Sequence, residues 1–194
     1  MNFTALTTAK ASRITLASCV LIITACDDPT APVANDTELI TDVTLTLTPV
    51  GGGTAITTTI ADADGPGVNP PAAQTAPIIL ALGTTYNGTV EFWDRSSPDD
   101  PENITEEVEE EADAHRVFYF LSGMSGVSIP DSSLDQDPDG APLGLSFQVV
   151  VGASASVAGS IQVVLSHYDE QPKGNGSQQS NETDVDVTFT TSAS

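Results

Sequence analysis

Apolar residues recur at every second position along much of this chain, and that period decides the fold class. Val43, Leu45 and Leu47 alternate with Thr44, Thr46 and Thr48. Side chains two apart share one face of a strand, whereas a helix needs its apolar positions three and four apart. Gly51-Gly52-Gly53 reads as a turn, after which Ile56, Thr58 and Ile60 resume the alternation as a hairpin partner. Residues 78–82 read as a short buried strand, and Tyr86, Val90 and Phe92 alternate with Thr89, Glu91 and Trp93. Residues 116–121 (RVFYFL) are apolar on both faces, which predicts a central strand. Segments 145–151, 157–165 and 185–189 complete about eight strands. Loops rich in Pro, Gly and Asp fall at 61–77 and 94–102. Nothing alternates strand with long helix, which argues against a parallel α/β sheet. The expected fold is all-β: one antiparallel, immunoglobulin-like β-sandwich spanning residues 38–194, with one short acidic helix.

That helix is residues 103–114 (NITEEVEEEADA), where the period changes. Ile104, Val108 and Ala112 sit at i, i+4 and i+8, Asn103 can cap, and Glu106 follows three later as a capping-box partner. Like charges repel at i, i+4 along its outer face, so packing of the Ile104 stripe or bound cations must compensate.

The amino-terminal end has a different chemistry. The first 25 residues hold no acid; Lys10 and Arg13 precede an apolar run at 14–25, which has signal-peptide length and falls short of the about 20 residues that span a bilayer. Ile23-Thr24-Ala25-Cys26 resembles the lipobox of bacterial lipoproteins. That resemblance implies cleavage before Cys26 and lipidation of its sulfur. Leu16-Ala17-Ser18-Cys19 matches the same pattern, but only five residues separate Arg13 from Cys19, against the roughly 7 to 15 of an h-region. Residues 26–37 then read as the lipidated cysteine and a polar tether, reaching at most about 35–40 Å. All 27 acids lie beyond Cys26, where only Arg95, Arg116 and Lys173 remain as bases, so the mature chain carries a formal charge of −24. Such a field repels phosphate backbones, excludes nucleic acid as a partner and concentrates cations. No cysteine is left for a disulfide once Cys26 is lipidated.

Both histidines lie beside carboxylates. On a helical reading Glu107, Glu111 and His115 line one face, while His167 ends a strand and continues its inward row. Neutral imidazole and carboxylate oxygen suit a zinc-, iron- or manganese-type ion, so His115, His167, Glu111 and one further acid form a candidate site if the two histidines meet. The alternative is two rim histidines paired with neighbouring acids. A second candidate is Asp135-Gln136-Asp137-Pro138-Asp139-Gly140, the oxygen-rich opening of a calcium loop, with Asp135, Asp137 and Asp139 as ligands. It departs from the EF-hand where Ser146 replaces the bidentate glutamate, and an ordinary acidic turn is the alternative.

The block from Asn103 to Glu111, ending at His115 and an aromatic strand, resembles a group of small uncharacterised lipoproteins of Gram-negative bacteria. Some members carry the label "type 1 periplasmic binding fold". That fold has two doubly wound α/β lobes, whose βα alternation this chain lacks. The resemblance supplies no catalytic residues. No Gly-x-Ser-x-Gly, Walker loop, dinucleotide fingerprint or His-Glu-x-x-His is present. The expectation is a non-enzymatic, membrane-tethered protein of the cell envelope, at the outer membrane, that captures divalent cations or assists an envelope transporter. The alternative is a structural or adhesive β-sandwich that works through contacts with other envelope proteins and takes no small ligand.

Overall fold

The computed structural model describes residues 38–63, 69–169 and 171–193. The expected signal peptide, Cys26 and the expected tether lie outside them. Threonine and β-branched alternation is realised as nine strands among the described residues: β1 Asp42–Pro49, β2 Ile56–Ala61, β3 Ile78–Leu80, β4 Thr85–Trp93, β5 His115–Ser122, β6 Ser125–Ser128, β7 Ser146–Ser156, β8 Gly159–His167 and β9 Glu182–Ala193. Two sheets result, one in the order β2-β1-β4-β7-β6 and one in the order β3-β9-β8-β5. Their inner faces supply a shared core in which Leu45, Leu47, Val90, Phe92, Ile161, Val163 and Phe189 are buried. The sheets touch where the Tyr119 ring of β5 meets Phe147 of β7 at 4.2 Å, and the Tyr119 hydroxyl donates to the Gly144 carbonyl at 2.7 Å. On the outer side, Thr44 and Thr59 join hydroxyls across the β1–β2 hairpin at 2.9 Å, and Thr46 and Thr57 at 3.1 Å. Such cross-strand pairs add to ladder stability.

Four details differ from expectation. First, β3 runs parallel to β9, because the 61–77 segment crosses from one sheet to the other. Second, β5 is an edge strand. Its double-sided apolarity has another cause: Val117, Tyr119 and Leu121 face the core, while Phe118 and Phe120 stack on the other face at 6.3 Å, with Arg116 over the Phe118 ring at 4.3 Å. Third, β6 (SGVS) carries no apolar alternation to announce it. Fourth, the helix α1 covers only Ile104–Glu110. The Asn103 side chain makes no cap to the backbone; it donates to the Glu106 carboxylate at 2.8 Å. The last turn closes with the Glu111 N–H on the Glu107 carbonyl, and residues 111–114 bend into β5. His115 is therefore a strand residue, off the helix.

Candidate metal centre

Strand pairing brings the two histidines together. His115 opens β5 and His167 closes β8, and the antiparallel register sets them directly opposite each other. Both point to the inner face, 0% and 2% exposed, with ring centroids 4.4 Å apart and planes inclined by 22°. The Tyr168 N–H donates to the Ala114 carbonyl and holds the end of the ladder shut. Although α1 ends early, the turn after it keeps Glu111 at the site. One ligand atom each from Glu111, His115 and His167 lies within 4.8 Å of the other two. The sequence-derived trio is thus assembled in space, by a strand pair and a turn instead of a helix face.

His115 Nδ1 lies 3.1 Å from the Glu111 carbonyl oxygen. A carbonyl accepts only, so this bond places the hydrogen on Nδ1 and the lone pair on Nε2. That arrangement, in which a backbone carbonyl orients the ring, is the usual support of a metal-binding imidazole. Nε2 is buried without a hydrogen-bond partner, 3.8 Å from Asp184 Oδ2. The other Asp184 oxygen faces His167 Nδ1 at 3.6 Å, and His167 Nε2 faces Asp169 Oδ1 at 3.4 Å.

Asp184 is the residue that strand alternation hides. Leu165 pairs with Val185 but Ser166 pairs with Thr183, which leaves Asp184 as the extra residue of a β-bulge. A bulge re-aims a side chain, and here both Asp184 and the adjacent Val185 turn inward. Its side chain is 1% exposed, and the polar groups facing its oxygens are the two imidazoles, at 3.6 and 3.8 Å. Nothing in a period-two reading marks that irregularity. Glu182 escaped notice for another reason: it reaches the site only through the β8–β9 pairing, opposite His167.

Burial dominates the electrostatics. It lowers the His115 pKa to about 4, opposed by the Glu111 carbonyl and assisted by the neighbouring His167. It raises Asp184 to about 6, with His167 pulling the other way. It raises Glu38 to about 7, and Glu107, Asp184 and Glu111 push in the same direction. His115 is accordingly neutral at pH 7, the form in which imidazole ligates a metal. The Lys173 ammonium adds to the lowering of His115.

In the 135–140 loop, two of the three expected calcium ligands, Asp135 and Asp137, are engaged by groups of the protein itself. Asp137 is buried, and its Oδ2 accepts from Lys173 Nζ at 2.7 Å. Its other oxygen accepts the N–H groups of Asp139 and Ala141. Burial alone would raise the Asp137 pKa, but these bonds hold it below the usual carboxylate range. The Lys173 ammonium also donates to the Ala112 carbonyl at 2.7 Å. Asp135 Oδ1 is taken by the N–H groups of Gly144 and Ser146, and Asp139 is exposed. Gly140 takes φ 86°, as a tight turn requires. Among the described residues Asp135, Asp137 and Asp139 form no metal-ligand grouping; Glu111–His115–His167 and His167–Asp169–Glu182 do. Compared with known proteins, the chain matches no family model, no curated protein and no solved structure.

Proposed function

We propose that this chain is a lipid-anchored, non-enzymatic protein of the bacterial cell envelope, held at the outer membrane through Cys26, that captures a divalent cation and passes it to an envelope transporter. The ligands are His115, His167 and Glu111, with Asp184 beside them. One observation carries the reading: two buried imidazoles meet face to face next to a carboxylate, and the inward nitrogen of one has no partner. Leaving such a group buried and unsatisfied costs about 1–3 kcal/mol, which a bound ion would offset. Nitrogen donors favour a zinc-, iron- or manganese-type ion over calcium, which takes oxygen. Ligand atoms on one tetrahedral zinc lie roughly 3.3 Å apart, given bonds of about 2.0–2.1 Å. The trio therefore needs a contraction of up to about 1.5 Å, to which the exposed Glu111 side chain can contribute, and a turn of the stacked rings that brings both nitrogen lone pairs onto one ion. A mature charge of −24 raises the local cation concentration around it.

Chelator-stripped protein, dialysed against zinc sulfate and then against buffer, should retain about one zinc ion per chain by elemental analysis. His115→Ala and His167→Ala should each lose it. Zinc retention by both variants equal to the parent would end the proposal.

A further inference from the structure

Two metal-ligand groupings share one residue. His167 belongs to the inner set with Glu111 and His115, and to an outer set with Asp169 and Glu182. The outer carboxylates are exposed, whereas His115 and Asp184 are buried. A cavity of about 120 Å³, lined by His167, Gln171, Ser180, Asn181 and Glu182, lies on the outer side. We propose that His167, Asp169 and Glu182 form an outer capture subsite, which takes the divalent cation from solvent and delivers it past the His167 ring to His115 and Asp184. This rests on the cation-capture reading above and adds a route to it.

The physical case has three parts. The cavity opens to solvent with His167 and Glu182 in its wall, and Asp169 lies 3.4 Å from His167 Nε2, so an arriving ion meets carboxylate oxygen and imidazole nitrogen together. Carboxylate oxygens of Asp169 and Glu182 replace the water it sheds. His167 then offers a carboxylate on either side of one ring: Asp169 at 3.4 Å from Nε2 and Asp184 at 3.6 Å from Nδ1. Finally, the inner end holds His115 Nε2, buried without a hydrogen bond, with the buried Asp184 carboxylate 3.8 Å from it. The transfer is ligand exchange alone. Metal–water bonds break, metal–carboxylate and metal–imidazole bonds form, and no electron moves.

The test uses full-length protein in detergent micelles, stripped of metal and mixed rapidly with zinc sulfate against a fluorescent chelator that reports unbound zinc. Three proteins are compared: the parent, Asp169→Asn with Glu182→Gln, and a control with Glu91→Gln and Asp100→Asn. Glu91 lies on the outer face of the other sheet and Asp100 in the 94–102 loop, so the control removes the same charge elsewhere. The Asp169/Glu182 variant should bind as much zinc at equilibrium as the parent, but take it up about tenfold or more slowly, while the control stays within about twofold. Uptake as fast as the control's would overturn the outer subsite. So would loss of equilibrium zinc, because the two acids would then be ligands of the final site. A parent that binds no zinc at all strikes the capture reading itself and is read separately.

Discussion

Burial sets three proton equilibria at this site against one another. His115 falls from 6.5 to about 4 on folding, so the unfolded chain binds more protons between those values. Its contribution to stability is present above pH 6.5 and is lost as pH falls toward 4. Asp184 rises from 3.8 to about 6 and Glu38 from 4.5 to about 7, so there the folded chain binds more protons. Their contributions are present below pH 3.8 and 4.5 and are lost as pH rises through 6 and 7. Between pH 4.5 and 6 two acids act against one imidazole, and above pH 6.5 Glu38 acts alone. The metal-free protein should therefore lose thermal stability as pH rises from 4.5 to 7. Asp184→Asn, which cannot ionise, should flatten the slope below pH 6. Circular dichroism melts at half-unit pH steps decide this, and a melting temperature that climbs across the window would refute the assignment. The sequence disclosed the histidines and Glu111, because residue type and neighbouring acids suffice to nominate ligands. It concealed Asp184, whose inward turn depends on a bulge, and it nominated Asp137, whose carboxylate answers to a lysine 36 residues away.

Alternation located the strands because each needs one buried face, and a slip of one residue would turn that face to water. Alternation says nothing about a strand's neighbours. It is silent on the edge position of β5 and on the parallel partner of β3, both of which depend on where the 61–77 and 94–114 segments cross between sheets. Helix length also escaped it, since α1 competes with the β5–β8 ladder for residues 111–115 and the ladder takes His115. Gly88 illustrates how packing constrains an element. It lies in β4 opposite Phe147, and a methyl group there would stand 2.5 Å from two ring carbons. Phe147 is itself pressed on Tyr119 across the core, so it has little room to yield. Gly88→Ala should destabilise the fold by about 1–3 kcal/mol. For a domain of this size that lowers the melting temperature by roughly 2–12 °C. Gly51→Ala, at a turn position with nothing within 4 Å of the added carbon, should leave it nearly unchanged. Equal shifts in both variants would mean that the β4–β7 contact is looser than its geometry states.

At the scale of the molecule, charge opposes the membrane attachment expected from the sequence. Residues 38–194 carry 24 acids and three bases, a formal charge of −21, and are repelled by anionic headgroups, so any hold on a membrane must come from elsewhere. No helix among the described residues is long and apolar enough to cross a bilayer. Acyl chains on Cys26 would supply the hold, at about 0.8 kcal/mol per buried CH₂, and two or three chains make it stable where one is marginal. Because that term is apolar, salt does not weaken it, and screening the headgroup repulsion strengthens it slightly. In a bacterial host the parent chain should stay with the membrane fraction through a high-salt wash, leave it only in detergent, and incorporate labelled palmitate. Cys26→Ser should lose the label and appear in the soluble fraction, while Cys19→Ser should change neither, because only the later cysteine follows an apolar run of signal-peptide length. Label retained in Cys26→Ser and lost in Cys19→Ser would move the anchor seven residues toward the start and leave an apolar Val20-Leu21-Ile22-Ile23 segment at the mature end. With the anchor at Cys26, the tether of about 35–40 Å at most holds the domain near the membrane without fixing which face it turns outward. The His115–His167 end would then be free to meet either solvent cations or a neighbouring transporter.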